Sequence, residues 1–223
     1  MNRRDQGFTL IEVLVVVSIL GVLMGLVSIL VIRASSHQER NMTETLIKTF
    51  LPNSIERYKT EMKRLPPQSV TELQKSSSRW KSLALSDANA TNDTAECLLV
   101  ALRHPDFSAP LGEGDLPTEN PFGNRDEDAW NSIPDGSDND SALEILDAYG
   151  NAIVYINKNH YGETYTITNL RGEEVEVTAL KKPDGTYYNK SSYQLISVGE
   201  NGVQDDDPET SDDIVNFTMD SGE

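Results

Sequence analysis

The run Val13–Ile32 carries no charged residue, and this constrains the chain more than any other stretch. As a helix it spans about 30 Å at about 1.5 Å per residue, the thickness of a bilayer core. One carboxylate, Glu12, stands at its start, four residues after Phe8, and the next charge is Arg33. A charge in hydrocarbon costs at least about 2.5–3.5 kcal/mol on insertion scales, so an acid at this place marks a function. A plain anchor has no use for it. A cut between Gly7 and Phe8 would give Phe8 a cationic amine. That amine can neutralise Glu12 of a neighbouring copy or, less favourably, its own. Arg3 and Arg4 precede the run, and the positive-inside tendency keeps that end cytoplasmic and carries the rest across the membrane. An ordinary secretory signal has an apolar core of about 7–15 residues, with a small-residue cleavage site after it. Ala34-Ser35-Ser36 offers such a site, but the run is too long and Glu12 would be unexplained.

The stretch Gly7-Phe8-Thr9-Leu10-Ile11-Glu12-Val13 resembles the class III signal of type IV prepilins and type II secretion pseudopilins. The resemblance implies that a prepilin peptidase and methyltransferase cuts after Gly7 and methylates the Phe8 amine. It makes Glu12 the acid that aligns subunits in a helical filament. It also implies an α+β, type IV pilin-like fold: a long N-terminal helix, transmembrane in its first half, packed on a small antiparallel β-sheet with short helices. The expected organisation is a leader over 1–7, a helix over 8–65 that crosses the membrane over 8–32, and a globular domain over 66–223.

Composition limits the alternatives. The net charge of −17 over 223 residues argues against a nucleic-acid surface, which needs a basic patch. The single cysteine, Cys97, excludes an intramolecular disulfide, and its apolar neighbours make it a small buried hydrophobe. His37, His104 and His160 have no Cys or acid at ligand or triad spacing, and no phosphate loop occurs, so catalysis is not expected.

Beyond Arg33 the periodicity becomes amphipathic. Ile47, Leu51, Ile55, Tyr58, Met62 and Leu65 recur at steps of three and four, with Met42, Leu46 and Phe50 beside them. This predicts one helical face, running to about Arg64. Pro52 removes an amide donor and crowds the turn before it, so a kink or break is expected near Lys48–Pro52. Pro66-Pro67 stops the helix. Ser69-Val70-Thr71-Glu72 and Asp93-Thr94-Ala95-Glu96 read as capping boxes. The second opens a buried helix through Leu102, stopped by His104-Pro105. Residues 76–92 read as loop. Residues 106–140, rich in Pro, Gly, Asp and Asn, read as an irregular excursion pinned by Phe122 and Trp130.

The last third predicts strands at Ala152–Asn157, Tyr165–Thr168, Glu174–Ala179 and Tyr193–Val198, the last being the final one, with a turn at Pro183-Asp184-Gly185. Consecutive short strands favour one antiparallel sheet, covered by the second half of the long helix.

Three further stretches bear on the family. Tyr58-Lys59, Arg64-Leu65-Pro66 and Glu72-Leu73 resemble the helix end of major pseudopilins, with Leu65 in place of an aromatic residue. Asp147-Ala148-Tyr149-Gly150-Asn151-Ala152-Ile153-Val154-Tyr155 resembles the turn that leads into their sheet. In it Ala148, Tyr149 and Ala152 replace proline, tryptophan and proline. Gly150-Asn151 suits a tight turn because both residues tolerate positive φ. Ser197-Val198-Gly199-Glu200-Asn201-Gly202, followed by Asp212-Asp213-Ile214-Val215-Asn216-Phe217, resembles the calcium loop of the same proteins.

That loop has a physical reading of its own. From Glu200 to Glu223 no Lys, Arg or His balances the acids. Crowded carboxylates repel, and a hard cation taking about 6–8 oxygens would order them. The resemblance assigns calcium to the Val198 carbonyl, Asn201, Asp212 and Asp213. Asn201 stands where the family has Asp, so one charge is missing, and Asp205, Asp206 and Asp207 offer compensation. The Asp-x-Asp-x-Asp-Gly spacing of a helix–loop–helix calcium site is absent. A solvated acidic tail is the alternative.

Taken together, the resemblances imply a structural subunit of a type II secretion pseudopilus. It would associate with itself, with other pseudopilins and with an inner-membrane assembly platform. It would be a single-pass protein of the bacterial inner membrane with a periplasmic domain. The rival readings are a pilin or minor pilin of a surface fibre, and a membrane-tethered calcium- or ligand-binding module.

Overall fold

A computed structural model describes residues 10–81, 83, 91–103, 107–118, 120–131, 141–205 and 211–218, except the side chains of 26–36, Arg79 and Glu113. By its internal contacts the chain divides into two units, Met1–Gln38 and Glu39–Glu223. Helix α1, Leu10–Thr45, opens in the first unit. Its large apolar side chains from Leu10 to Met24 are exposed, from 49% to 83%. Among the described residues no helix is long and apolar enough to cross a membrane. The part of the uncharged run with described side chains, Val13–Gly25, covers about 20 Å at about 1.5 Å per residue.

In the second unit the chain is α+β, as expected. Helix α1 passes into a π turn, Leu46–Phe50, and then into α2, Leu51–Met62. The expected irregularity at Pro52 therefore takes a definite form. The wider turn lets the Leu51 amide bond the Leu46 carbonyl, five residues back. The ring that would clash in a regular α-turn is accommodated without a break. Lys63 ends α2 in the left-handed region at φ 60. Helix α3, Val70–Ser76, begins at Ser69, whose hydroxyl accepts the Glu72 amide at 3.3 Å. The Glu72 carboxylate reaches back one residue further than in a standard box, to the Gln68 amide at 2.8 Å.

Helix α4, Asp93–Leu102, is buried as predicted, Cys97 included. Its expected capping box is not formed. Asn92 precedes the helix in the left-handed region, φ 61, with no side-chain cap. Its amide is used elsewhere: Nδ2 donates to Glu144 Oε1 at 2.7 Å, and Oδ1 accepts the Thr168 amide at 3.0 Å. Glu96 points into the interior instead of reaching back.

The single sheet expected from consecutive strands is also corrected. Among the described residues three antiparallel pieces form. Strands β1, Phe122–Gly123, and β2, Glu144–Ile145, make a short ribbon that fastens the irregular excursion. Phe122 lies half-buried under the Arg103 guanidinium, 4.2 Å away, and Trp130 is buried. Strand β3, Val154–Asn157, pairs with β6, Tyr193–Ser197. Between them in sequence, β4, Thr164–Thr168, and β5, Glu174–Thr178, pair with each other and not with β3 or β6, and Thr166 of β4 also makes an isolated bridge to Thr91. The predicted turn after β5 is present, with Gly185 at φ +81. Strand β6 is not the last, because β7, Ile214–Val215, pairs on its free edge.

The central β3–β6–β7 sheet is buried on both faces, which explains its continuous apolar sequence. On one face Tyr155, Tyr193 and Leu195 join the predicted helix stripe of Leu46, Ile47, Leu51, Ile55 and Tyr58. On the other, Val154, Ile156 and Ile196 join Ile167, Val175 and Val177 of the β4–β5 ribbon. At about 1.5–3 kcal/mol for each large side chain fully buried, this double burial fixes the register of β3 against β6.

Candidate functional site

Gly7 and Phe8 lie outside the described residues. Glu12 occupies the first turn of α1, where a carboxylate meets the positive end of the helix dipole.

The two C-terminal motifs prove to be one construction. Asp147 is buried, and its Oδ1 accepts the Asn151 amide at 2.9 Å. Its Oδ2 accepts the Ser197 hydroxyl at 2.6 Å. Asn151 reaches across in the same direction: Nδ2 donates to the Gly199 carbonyl at 2.8 Å, and Oδ1 accepts the Leu170 amide at 2.9 Å. Only Gly150 of the expected Gly-Asn turn takes positive φ, +89. Asn151 is a buried cross-brace, and its side chain rather than its backbone freedom is what the position needs. The Ala148 amide donates to Thr43 Oγ1 at 3.1 Å, which ties this turn to α1. Burial pushes the Asp147 carboxyl up to about 6, against its hydrogen bonds from Ser197, Asn151 and the turn.

The acidic loop begins where this brace ends. Gly199 adopts φ +64, and a Cβ there would lie 2.6 Å from the Asp212 carbonyl oxygen, so only glycine allows the two limbs to close. Asp212 Oδ2 accepts the Asn201 amide at 2.8 Å. Asp205 Oδ2 accepts Asn201 Nδ2 at 3.0 Å, and Asp213 Oδ2 accepts the Asp205 amide at 3.0 Å. One oxygen from each of Asp205, Asp212 and Asp213 lies within 4.8 Å of the others. Oδ1 of Asp212 and Oδ1 of Asp213 are buried and accept no hydrogen bond. Burial raises the Asp213 carboxyl to about 7, with the charges of Asp205 and Asp212 adding to it.

Of the four residues assigned to calcium, the structure brings Asp212 and Asp213 together and adds Asp205 to them. Asn201 joins as a donor, its Oδ1 being occupied by the Val203 amide at 2.8 Å. The Val198 side chain is buried in the ribbon-side core. Asp206 and Asp207 lie outside the described residues.

A second group of carboxylates escaped the sequence reading. Glu96 of α4, Glu144 of β2 and Asp126 between β1 and β2 place one oxygen each within 4.8 Å of one another. Glu96 and Glu144 are fully buried. Burial, then the neighbouring Asp128, Asp126, Asp93 and Glu144, push the Glu96 carboxyl up to about 10. Burial lifts Glu144 to about 8, against hydrogen bonds from the Arg125 and Glu144 amides and the Asn92 side chain, with the charge of Asp126 adding to the rise. Burial and the charge of Asp126 lift Asp93 to about 6. The alternation Asn124-x-Asp126-x-Asp128 was the available signal.

Residues 2–28 match the family model of the prokaryotic N-terminal methylation motif. No curated protein and no solved structure matches the chain. The matched segment is a prepilin-type signal. It supports a type IV pilin-like subunit, processed by a prepilin peptidase and anchored through its N-terminal helix.

Proposed function

We propose that the chain is a structural subunit of a type II secretion pseudopilus. The observation that carries this reading is the methylation motif at residues 2–28, continued by a helix whose second part packs on a small β-sheet. The choice of pseudopilus over surface fibre is supported by the junction of Asp147 and Asn151 with Ser197 and Gly199. Those are the two stretches that resemble major pseudopilins.

The peptidase cuts between Gly7 and Phe8 and methylates the new amine. Before assembly the run to Ile32 holds the subunit in the inner membrane, with the leader in the cytoplasm and the second unit in the periplasm. The exposed apolar side chains from Leu10 to Met24 need either lipid or the helices of other copies, and filament assembly exchanges one for the other. Glu12 at the start of α1 then meets the Phe8 amine of a neighbour, so neither charge stays alone in the apolar filament core. In the folded domain the loop oxygens fit a hard cation, since Oδ1 of Asp212 and Oδ1 of Asp213 are buried without donors. Asp205, Asp212 and Asp213 would hold calcium, with the Val198 carbonyl and Asn201 beside them. The ion would supply positive charge that ties the loop to β7.

Mass spectrometry of the mature N-terminus tests the processing step. A chain that starts at methylated Phe8 is expected, and one that keeps Met1 removes both filament readings. Glu12→Ala is expected to leave cleavage intact and to abolish incorporation into filaments. Secretion that fails without this chain supports the pseudopilus, and surface fibres that fail while secretion continues would assign it to a pilus.

A further inference from the structure

We propose that Glu96, Asp126 and Glu144 form a second divalent-cation site, of the calcium class, which clamps α4 to the β1–β2 ribbon. The site is separate from the C-terminal loop and shares no residue with it. Three elements distant in sequence converge there: α4 supplies Glu96, β2 supplies Glu144, and the segment after β1 supplies Asp126.

The decisive observation is Glu96. It is 0% exposed, and neither of its carboxylate oxygens takes part in a hydrogen bond. One of them lies within 4.8 Å of oxygens of Asp126 and Glu144. A buried carboxyl without a partner is costly whether charged or neutral, because protonation still leaves an O–H and a carbonyl oxygen unmatched. A cation gives Glu96 the partner that the protein does not. The two acids it faces are positioned to share that cation. Glu144 Oε1 is fixed by Asn92 Nδ2 at 2.7 Å and by the Arg125 amide at 2.8 Å. Asn124 Nδ2 donates to the Asp128 carbonyl at 2.6 Å, and its Oδ1 is left buried with no hydrogen bond.

Among the described residues no basic side chain does the cation's work. Arg125, the nearest in sequence, turns its guanidinium to the Gly150 turn, where an added Cβ would lie 2.8 Å from Nη2. The groups acting on Glu96 are carboxylates throughout. The ligand chemistry selects the ion. All candidate ligands are oxygens, with no imidazole or thiolate in the group, which favours a hard cation over zinc. The oxygens all lie within 4.8 Å of one another, close enough for one ion to touch all three at calcium's usual about 2.3–2.6 Å.

The test counts calcium ions per chain by equilibrium dialysis of the full chain in detergent micelles. The double variant Glu96→Gln with Asp126→Asn is expected to lose one ion relative to wild type, whatever the wild-type total. The double variant Asp212→Asn with Asp213→Asn loses a different ion if the C-terminal loop binds one, and none if it does not. Failure of the loop reading therefore leaves the first loss in place. Equal totals for wild type and the Glu96 variant overturn the second site, and a wild type that binds no calcium overturns both. Should the double variant fail to fold, Asp126→Asn alone decides. It lies at a half-buried loop position, and a drop of about tenfold or more in the affinity of one ion is expected. Unchanged affinity refutes the clamp.

Discussion

The two carboxylate clusters of the globular unit meet the same electrostatic problem with opposite means. In the C-terminal loop Asp205, Asp212 and Asp213 each have a donor. Asn201 serves Asp212 and Asp205, and the Asp205 amide serves Asp213. Asp205 and Asp212 are half-buried, so water shares the load. Around Glu96 the acids are deeper and the donors fewer. Asn92 and Arg125 both serve Glu144, and nothing serves Glu96. The loop holds its shape by hydrogen bonds whether or not an ion is present. The inner cluster has to recruit a proton or a cation to exist at all. Resemblance to a known loop led to the first cluster, and burial alone reveals the second.

The largest expected effect separates the two by pH. Glu96 and Glu144 are raised to about 10 and about 8 from 4.5, so the folded chain holds protons that the unfolded chain releases. Their stabilising contribution is complete below about pH 4.5 and is lost as pH rises through 8 and then 10. In chelator most of that loss falls between about pH 5 and pH 9. Asp213, raised to about 7 from 3.8, adds a smaller fall that ends earlier. Saturating calcium flattens the alkaline part of the profile. Thermal melting against pH, in chelator and in calcium, checks both, and a chelated profile flat above pH 7 would sink the contrast.

Glu96→Leu is the next largest. In chelator at pH 8 it is expected to raise stability by about 2–4 kcal/mol, since an apolar group of similar volume replaces an unpaired buried acid. Asp212→Leu runs the other way and costs about 1–2 kcal/mol, because the Asn201 amide loses its acceptor. Urea melts of the two variants that move in the same direction would break the comparison. Gly199→Ala belongs with the loop alone. Left-handed backbone and a Cβ 2.6 Å from the Asp212 carbonyl predict a loss of about 2 kcal/mol, with no change in the calcium held by the inner cluster.

What the sequence disclosed follows the range of the interactions. The helix stripe from Ile47 to Tyr58, the Ser69 cap, the alternation of β5 and the Pro183–Gly185 turn depend on neighbours a few residues away, and each is where the pattern put it. The skip of β6 past β4 and β5 to reach β3 depends on double-sided burial, which no local period encodes. Glu96 fits a capping box by spacing, yet Asn92 spends its side chain on Glu144 and Thr168 and frees the acid to turn inward. Asp212 and Asp213 were legible as loop acids. Asp205 was legible as a compensating acid, and its place beside Asp212 and Asp213 depends on the closure that Gly199 permits.

Asn201→Asp probes the boundary between the two solutions with the smallest expected change. The substitution keeps an oxygen for the Val203 amide but replaces the donor to Asp205 with a like charge. Without an ion the loop then resembles the inner cluster, one carboxylate facing another with nothing between, and the cost is about 1 kcal/mol in chelator. With calcium the same oxygen becomes an additional anionic ligand, and loop affinity rises about tenfold, equivalent to about 1.4 kcal/mol. Calorimetric titration of the full chain in micelles separates the outcomes. A gain in affinity makes Asn201 a weakened ligand position. A loss shows that its amide hydrogen bond to Asp205, and not an oxygen, is what this loop requires.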